Sequence, residues 1–218
     1  SVKLRDRITC LTILFLIAIL LIQGVLAWFN VEYVMTEEYF ATMFGVSADD
    51  SAVEQMVEVS RNPVFQIIQV VFSTVAVFVS ILFNALVVFV GYYLFAKQSF
   101  LDVFKAVVVA TWVAVIKTVT MVVSFIFINP PTSTIETNVV PFSLASFFDI
   151  NKLDQWMVTL LSAVNIFEVL YILVLSYVLS KNLKQSFGTS SKVVLCSYGL
   201  VTLLYIVGLT LFSVYATK

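Results

Sequence analysis

Histidine is absent from this chain of 218 residues, and cysteine occurs only twice. Without histidine there is no imidazole base, no Ser-His or Cys-His pair and no His-based zinc motif. Cys10 and Cys196 cannot form a disulfide framework. Each falls near the start of an apolar run, where a cysteine acts as a small apolar residue in reducing surroundings. Charge is scarce as well: Asp, Glu, Lys and Arg make up 11% of the chain, against about 25% in soluble domains. No basic tract is present, which argues against a nucleic-acid partner. There is no glycine-rich phosphate loop and no G-x-S-x-G elbow. An intramembrane aspartyl enzyme needs two embedded acids, and this chain offers one. The expectation is a protein that is not an enzyme and needs no cofactor or metal.

Apolar side chains are abundant instead. They account for 61% of the residues, and the mean hydropathy is +1.05. Such a chain cannot cover itself with polar surface, so its expected partner is the lipid bilayer. A spanning helix needs roughly 20 apolar residues, and five stretches qualify: about 8–29, 64–96, 101–128, 156–179 and 193–215. The predicted fold class is all-α, a single polytopic membrane domain made of a five-helix bundle. The first stretch follows the basic "SVKLRDR", but its apolar core exceeds a signal peptide's h-region and no A-x-A site closes it. It reads as a retained anchor.

The basic residues sort by side. Lys3, Arg5, Arg7, Lys97, Lys105, Lys181, Lys184 and Lys192 fall on one side, and Arg61, Lys152 and Lys218 on the other. The larger group sets a cytoplasmic N-terminus and an outside C-terminus. The first outer loop holds an acidic cluster from Glu32 to Glu58 and an amphipathic segment at about 47–61. There Ser51 and Glu54 have capping-box spacing, and Val53, Met56 and Val57 share a helical face. Asn62–Pro63 then restarts the chain, with Asn as cap and Pro as first helical residue. In the second outer loop, "PFSLASFF" is apolar enough to rest on the membrane or dip into it.

A few polar residues interrupt the spans. Asn84 lies near the centre of the second, Lys117 within the third, and Glu168 near the middle of the fourth with Asn165 one turn away. Lys117, Thr120 and Ser124 form one stripe at helical spacing; Ser73, Ser80 and Asn84 form another. Both stripes are expected to face protein. An unpaired charge at the bilayer centre costs about 2.5–3.5 kcal/mol on insertion scales. The one embedded base and the one embedded acid are therefore expected to pair. Lys117–Glu168, with Asn84 and Asn165 adding hydrogen bonds, forms either a structural clasp or a site for an ion, proton or headgroup. Broken transporter helices carry Gly or Pro in paired spans. The span interiors here lack Pro, and Gly24, Gly91, Gly199 and Gly208 form no repeat, which weakens a secondary-transporter reading.

From Asn62 onward the chain resembles the bacterial branch of the Yip-domain family of five-span membrane proteins. The resemblance rests on "NP" before the second span, "GYYLFAKQSFLDVFKAVVVATW", "PFSLASFF", "LDQWMVTLLSAVNIFEVLYILVLSYVLSK" and "LKQSFGTSSKVVLCSYGL". Family members usually have an acid ahead of a Phe and a Trp in the fourth span, whereas "NIFEVLY" departs from that order. The Asp-Leu-Tyr-Gly-Pro run of the eukaryotic branch is absent. The resemblance implies five spans, a cytoplasmic N-terminus and the bacterial inner membrane. Two functions stay open: a non-enzymatic module that binds lipid or a membrane-protein partner, and a small transporter or channel for an ion or solute working through Lys117, Glu168 and Asn165.

Overall fold

In lipid, backbone N–H and C=O groups must be satisfied within the chain, so long apolar runs without interior proline become helices. The computed structural model describes residues 2–45, 47, 51–95, 98–127 and 139–216. Among these residues the secondary structure is helical, apart from one isolated antiparallel bridge between Ser143 and Asn165. The described residues fall into two compact units, one up to Phe78 and one from Val79 onward.

The first unit begins with α1 (Val2–Phe29), which runs into a π-helical turn over Asn30–Val34. Thr36 caps α2 (Glu37–Phe44) by accepting the Tyr39 N–H at 3.3 Å. Gly45 ends that helix at φ 66°, a left-handed value that glycine adopts without a Cβ penalty. The predicted amphipathic segment is α3 (Ser51–Arg61), which packs on α2 and buries Val53, Val57 and Ser60. Met56 is exposed rather than sharing that buried face. Ser51 is the first helical residue instead of the cap, and the positions just before it lie outside the described residues. Asn62 does cap the next helix: its Oδ1 accepts the Val64 N–H at 2.9 Å, with Pro63 in the first helical position. That helix, α4 (Pro63–Phe95), has 33 residues and is about 50 Å long at 1.5 Å per residue.

The second unit holds the rest of α4 and α5–α10. Ile81, Ala85, Val88 and Tyr92 form the buried stripe of α4. Ser80 is exposed and Asn84 half-buried, so the expected protein-facing serine stripe is not the one that packs. The third apolar stretch forms α5 (Phe100–Ala110) and α6 (Trp112–Phe127), separated at Thr111. The Thr111 hydroxyl donates to the Val107 carbonyl at 2.8 Å, a back-bond that bends helices. The predicted fourth span is not continuous. It is α7 (Gln155–Ala163) and α8 (Ile166–Asn182), with Val164 and Asn165 extended between them. The fifth starts earlier than hydropathy predicts. Ser186 caps α9 (Phe187–Val194), and a π-helical turn over Leu195–Gly199 leads into α10 (Leu200–Ala216). In this unit α8 packs against α5, α6 and α9, while α7 packs against α10.

Among the described residues, three helices are long and apolar enough to cross a bilayer: Pro63–Leu94, Phe100–Phe127 and Phe187–Phe212. Only 22%, 28% and 11% of their apolar windows is buried within the chain, so most of that surface calls for a lipid-like solvent. A shorter apolar stretch, Ile17–Phe29, lies in α1.

The α8–α9 turn contains a position open to improvement. Lys184 has φ 53°, and the Gln185 N–H reaches back to the Ser180 carbonyl at 3.0 Å. This is a Schellman ending with lysine where glycine is favoured. Lys184→Gly is expected to stabilise the protein by about 1 kcal/mol, read as a raised midpoint of unfolding in detergent.

Candidate functional site

The break in the fourth apolar stretch is built by one side chain and one loop. At Asn165 the backbone is extended, with φ −135° and ψ 160°. Its Oδ1 accepts the Glu168 N–H at 3.0 Å and so caps α8. Its amide nitrogen donates backwards to the carbonyls of Ser162 at 3.1 Å and Ala163 at 3.2 Å, at the end of α7. A single carboxamide thus satisfies backbone groups on both sides of the interruption. The loop supplies the remainder. The Leu144 N–H donates to the Val164 carbonyl at 3.0 Å, and the Ile166 N–H donates to the Phe142 carbonyl at 3.3 Å. Pro141–Phe148 therefore folds onto the break, with Ala145 fully buried and the Phe142 ring against Phe167 at 6.5 Å. Phe142 holds φ 58° to make this turn, a conformation that is costly for a bulky residue.

Beside the break lies a cavity of about 210 Å³. Its polar lining comes from four elements: Lys117 of α6, Thr159 and Ser162 of α7, Asn165 and Glu168 at the start of α8, and Thr202 of α10. Three of the four residues singled out from the sequence, Lys117, Glu168 and Asn165, thus share one cavity. The expected direct ion pair does not form. Among the described residues, the ion pairs within 4.0 Å are Lys105–Asp102 and Lys152–Asp149, each three residues apart on the chain. Glu168 instead accepts the Tyr198 hydroxyl at 3.1 Å through Oε2. The physical reason is the break itself. A continuous helix would carry Glu168 along one stripe, whereas the interruption makes it the third residue of α8, tied to Asn165 through its own N–H.

Asn84 stands outside this lining. It and Thr111 approach the Tyr171 hydroxyl without completing a hydrogen bond to it. The Tyr171 ring lies 4.9 Å from that of Tyr198, tilted by 40°, so the two tyrosines stand between Asn84 and Glu168. Sequence reasoning misses both tyrosines. One signal was available, since Tyr171 follows Glu168 by three residues and so shares its helical face. It also misses Ser162, which is 5% exposed and whose hydroxyl has no hydrogen-bond partner.

Two other cavities differ in character. One, in the first unit, is lined by Met35, Phe40, Met56, Val59 and Phe65 among others, with no charged side chain. The other lies at the α8–α9 turn and holds Lys181 and Lys184. Of these three cavities, the one beside the break combines both signs of charge. No His, Cys, Asp and Glu cluster suited to a metal ion occurs among the described residues. Compared with known proteins, the chain matches no family model, no curated protein and no solved structure.

Proposed function

We propose that this chain is a non-enzymatic integral membrane protein that binds a small polar ligand or lipid headgroup in the cavity beside its broken helix. The observation that carries this reading is the convergence of Lys117, Glu168 and Asn165 on one cavity at an interrupted apolar helix. Ionisable groups within apolar spans are rare, and they mark substrate, ion or proton pathways by default. The proposal takes α7 and α8 together as a span and α1 as another. With the three long helices this makes five, with the N-terminus cytoplasmic by the distribution of lysine and arginine. Similarity in sequence pattern to the bacterial Yip-domain branch supports the same topology and a bacterial inner-membrane location. Purification in mild detergent followed by mass spectrometry is expected to recover a retained lipid or polar solute, which Lys117→Met releases. A wild-type chain that emerges with no bound molecule, in every detergent that keeps it folded, would count against the reading.

A second reading, a small transporter or channel, gains support from the break. Interrupted helices at a polar site are how many transporters hold substrate, and here Asn165 makes the interruption without glycine or proline. Flux through liposomes carrying the wild-type chain, lost in both Lys117→Met and Glu168→Gln, is the result this second reading requires.

A further inference from the structure

Lys117 and Glu168 line one cavity but stand too far apart for an ion pair. A pair that closed on itself would leave no work for a visitor. Here each charge retains unused capacity. Tyr198 occupies Oε2 of Glu168, leaving Oε1 for a second donor. The buried Ser162 hydroxyl, unpartnered, lines the same space and can donate to an anion. A ligand of one sign would compensate one charge and leave the other exposed to a poorly solvating environment. A ligand carrying both signs compensates the two together. Its anion would take Lys117 and the Ser162 hydroxyl, and its cation would take the free oxygen of Glu168.

The cation's chemistry can be narrowed further. A quaternary ammonium has no N–H to donate and is held by cages of aromatic rings. The lining provides one ring, that of Tyr205. A primary ammonium, by contrast, makes the charge-assisted hydrogen bond that Oε1 can accept. We infer that the cavity takes a small zwitterion bearing a primary ammonium and a phosphate or carboxylate, as in the phosphoethanolamine headgroup of a lipid or a free solute of that chemistry. This rests on the cavity being a ligand site, as proposed for its function.

The test uses the full chain in nanodiscs of phosphatidylglycerol. Phosphatidylethanolamine or phosphatidylcholine is titrated in, and bound lipid is counted by native mass spectrometry. The ethanolamine lipid should be retained about tenfold over the choline lipid, the scale of one hydrogen bond to a charged group. Glu168→Gln should erase that preference, and Lys117→Met should weaken retention of both lipids. Soluble O-phosphoethanolamine, added separately, distinguishes the source. Thermal stabilisation or displacement by it points to a free solute, and retention of the lipid alone points to a headgroup; either outcome supports the inference. Equal retention of the two zwitterionic lipids by the unmodified chain, together with no stabilisation or displacement by O-phosphoethanolamine, overturns it without recourse to any variant. If retention is equal for all three headgroups yet depends on Lys117, the cavity remains a ligand site and only the zwitterion is wrong. If no headgroup binds and O-phosphoethanolamine has no effect, both readings fall.

Discussion

Replacing Asn165 with alanine should cost about 3 kcal/mol of unfolding free energy, because the change removes a helix cap and strands one buried and one part-buried carbonyl at once. The carboxamide holds Glu168 N–H on one side and the carbonyls of Ser162 and Ala163 on the other, at 3.0–3.2 Å. Asn165→Ser keeps an acceptor for the cap but loses the backward donors, so it should recover roughly 1 kcal/mol of the loss. Denaturant unfolding in a fixed detergent, followed by tryptophan fluorescence, reads both values. If alanine and serine lose the same small amount, the two halves are not being held by this side chain. The same variant reaches the site, since the start of α8 positions Glu168.

The second large effect is expected at Gly91. A Cβ built there would stand 2.7 Å from the Cβ of Ser197 and 3.0 Å from its Oγ. Those contacts are closer than side chains tolerate, and Ser197 is buried at 9% exposure, with its hydroxyl donating to Val193. Gly91→Ala must therefore push α4 away from the π-helical turn, costing about 1–3 kcal/mol. Ser197→Gly in the same molecule removes the atoms that clash. The double variant should regain most of the loss despite containing two substitutions, which an additive pair would not do. Failure of the second change to rescue the first would show that α4 and the Leu195–Gly199 turn do not touch there.

Hydropathy alone placed the long helices, because lipid exposure demands little more than length and apolar character. Asn62–Pro63 was legible for an equally local reason: the cap and the proline act within one turn. The interruption at Val164–Asn165 was not. Neither residue is a helix breaker, and the stretch around them is as apolar as its neighbours. Yet the signal lay in plain view, since Asn165 and Glu168 have the same spacing as Ser51 and Glu54. At the start of a short polar helix, that spacing reads as a cap; inside a long apolar run it reads as two neighbours on one face. What distinguishes the cases is the loop Pro141–Phe148, whose pairing spans more than twenty residues of chain and includes a phenylalanine at positive φ. No local pattern announces that. For the site, the charged and amide residues were identifiable as costly in lipid, whereas their partners were not. Tyrosine is ordinary in an apolar helix, and only the folded chain shows Tyr198 turned toward Glu168.

The bridge between Ser143 and Asn165 has a consequence for how the protein is made. Neither α7 nor α8 can satisfy the Val164 carbonyl or the Ile166 N–H by itself, and a buried backbone group left unpaired is costly. Their partners, Leu144 and Phe142, leave the ribosome first, some twenty residues ahead. The loop is thus already synthesised when the interrupted segment emerges, and the two can pair as soon as both are made. Read in the opposite direction, with α8 ahead of its loop, the same sequence would hold an open seam until the loop arrived.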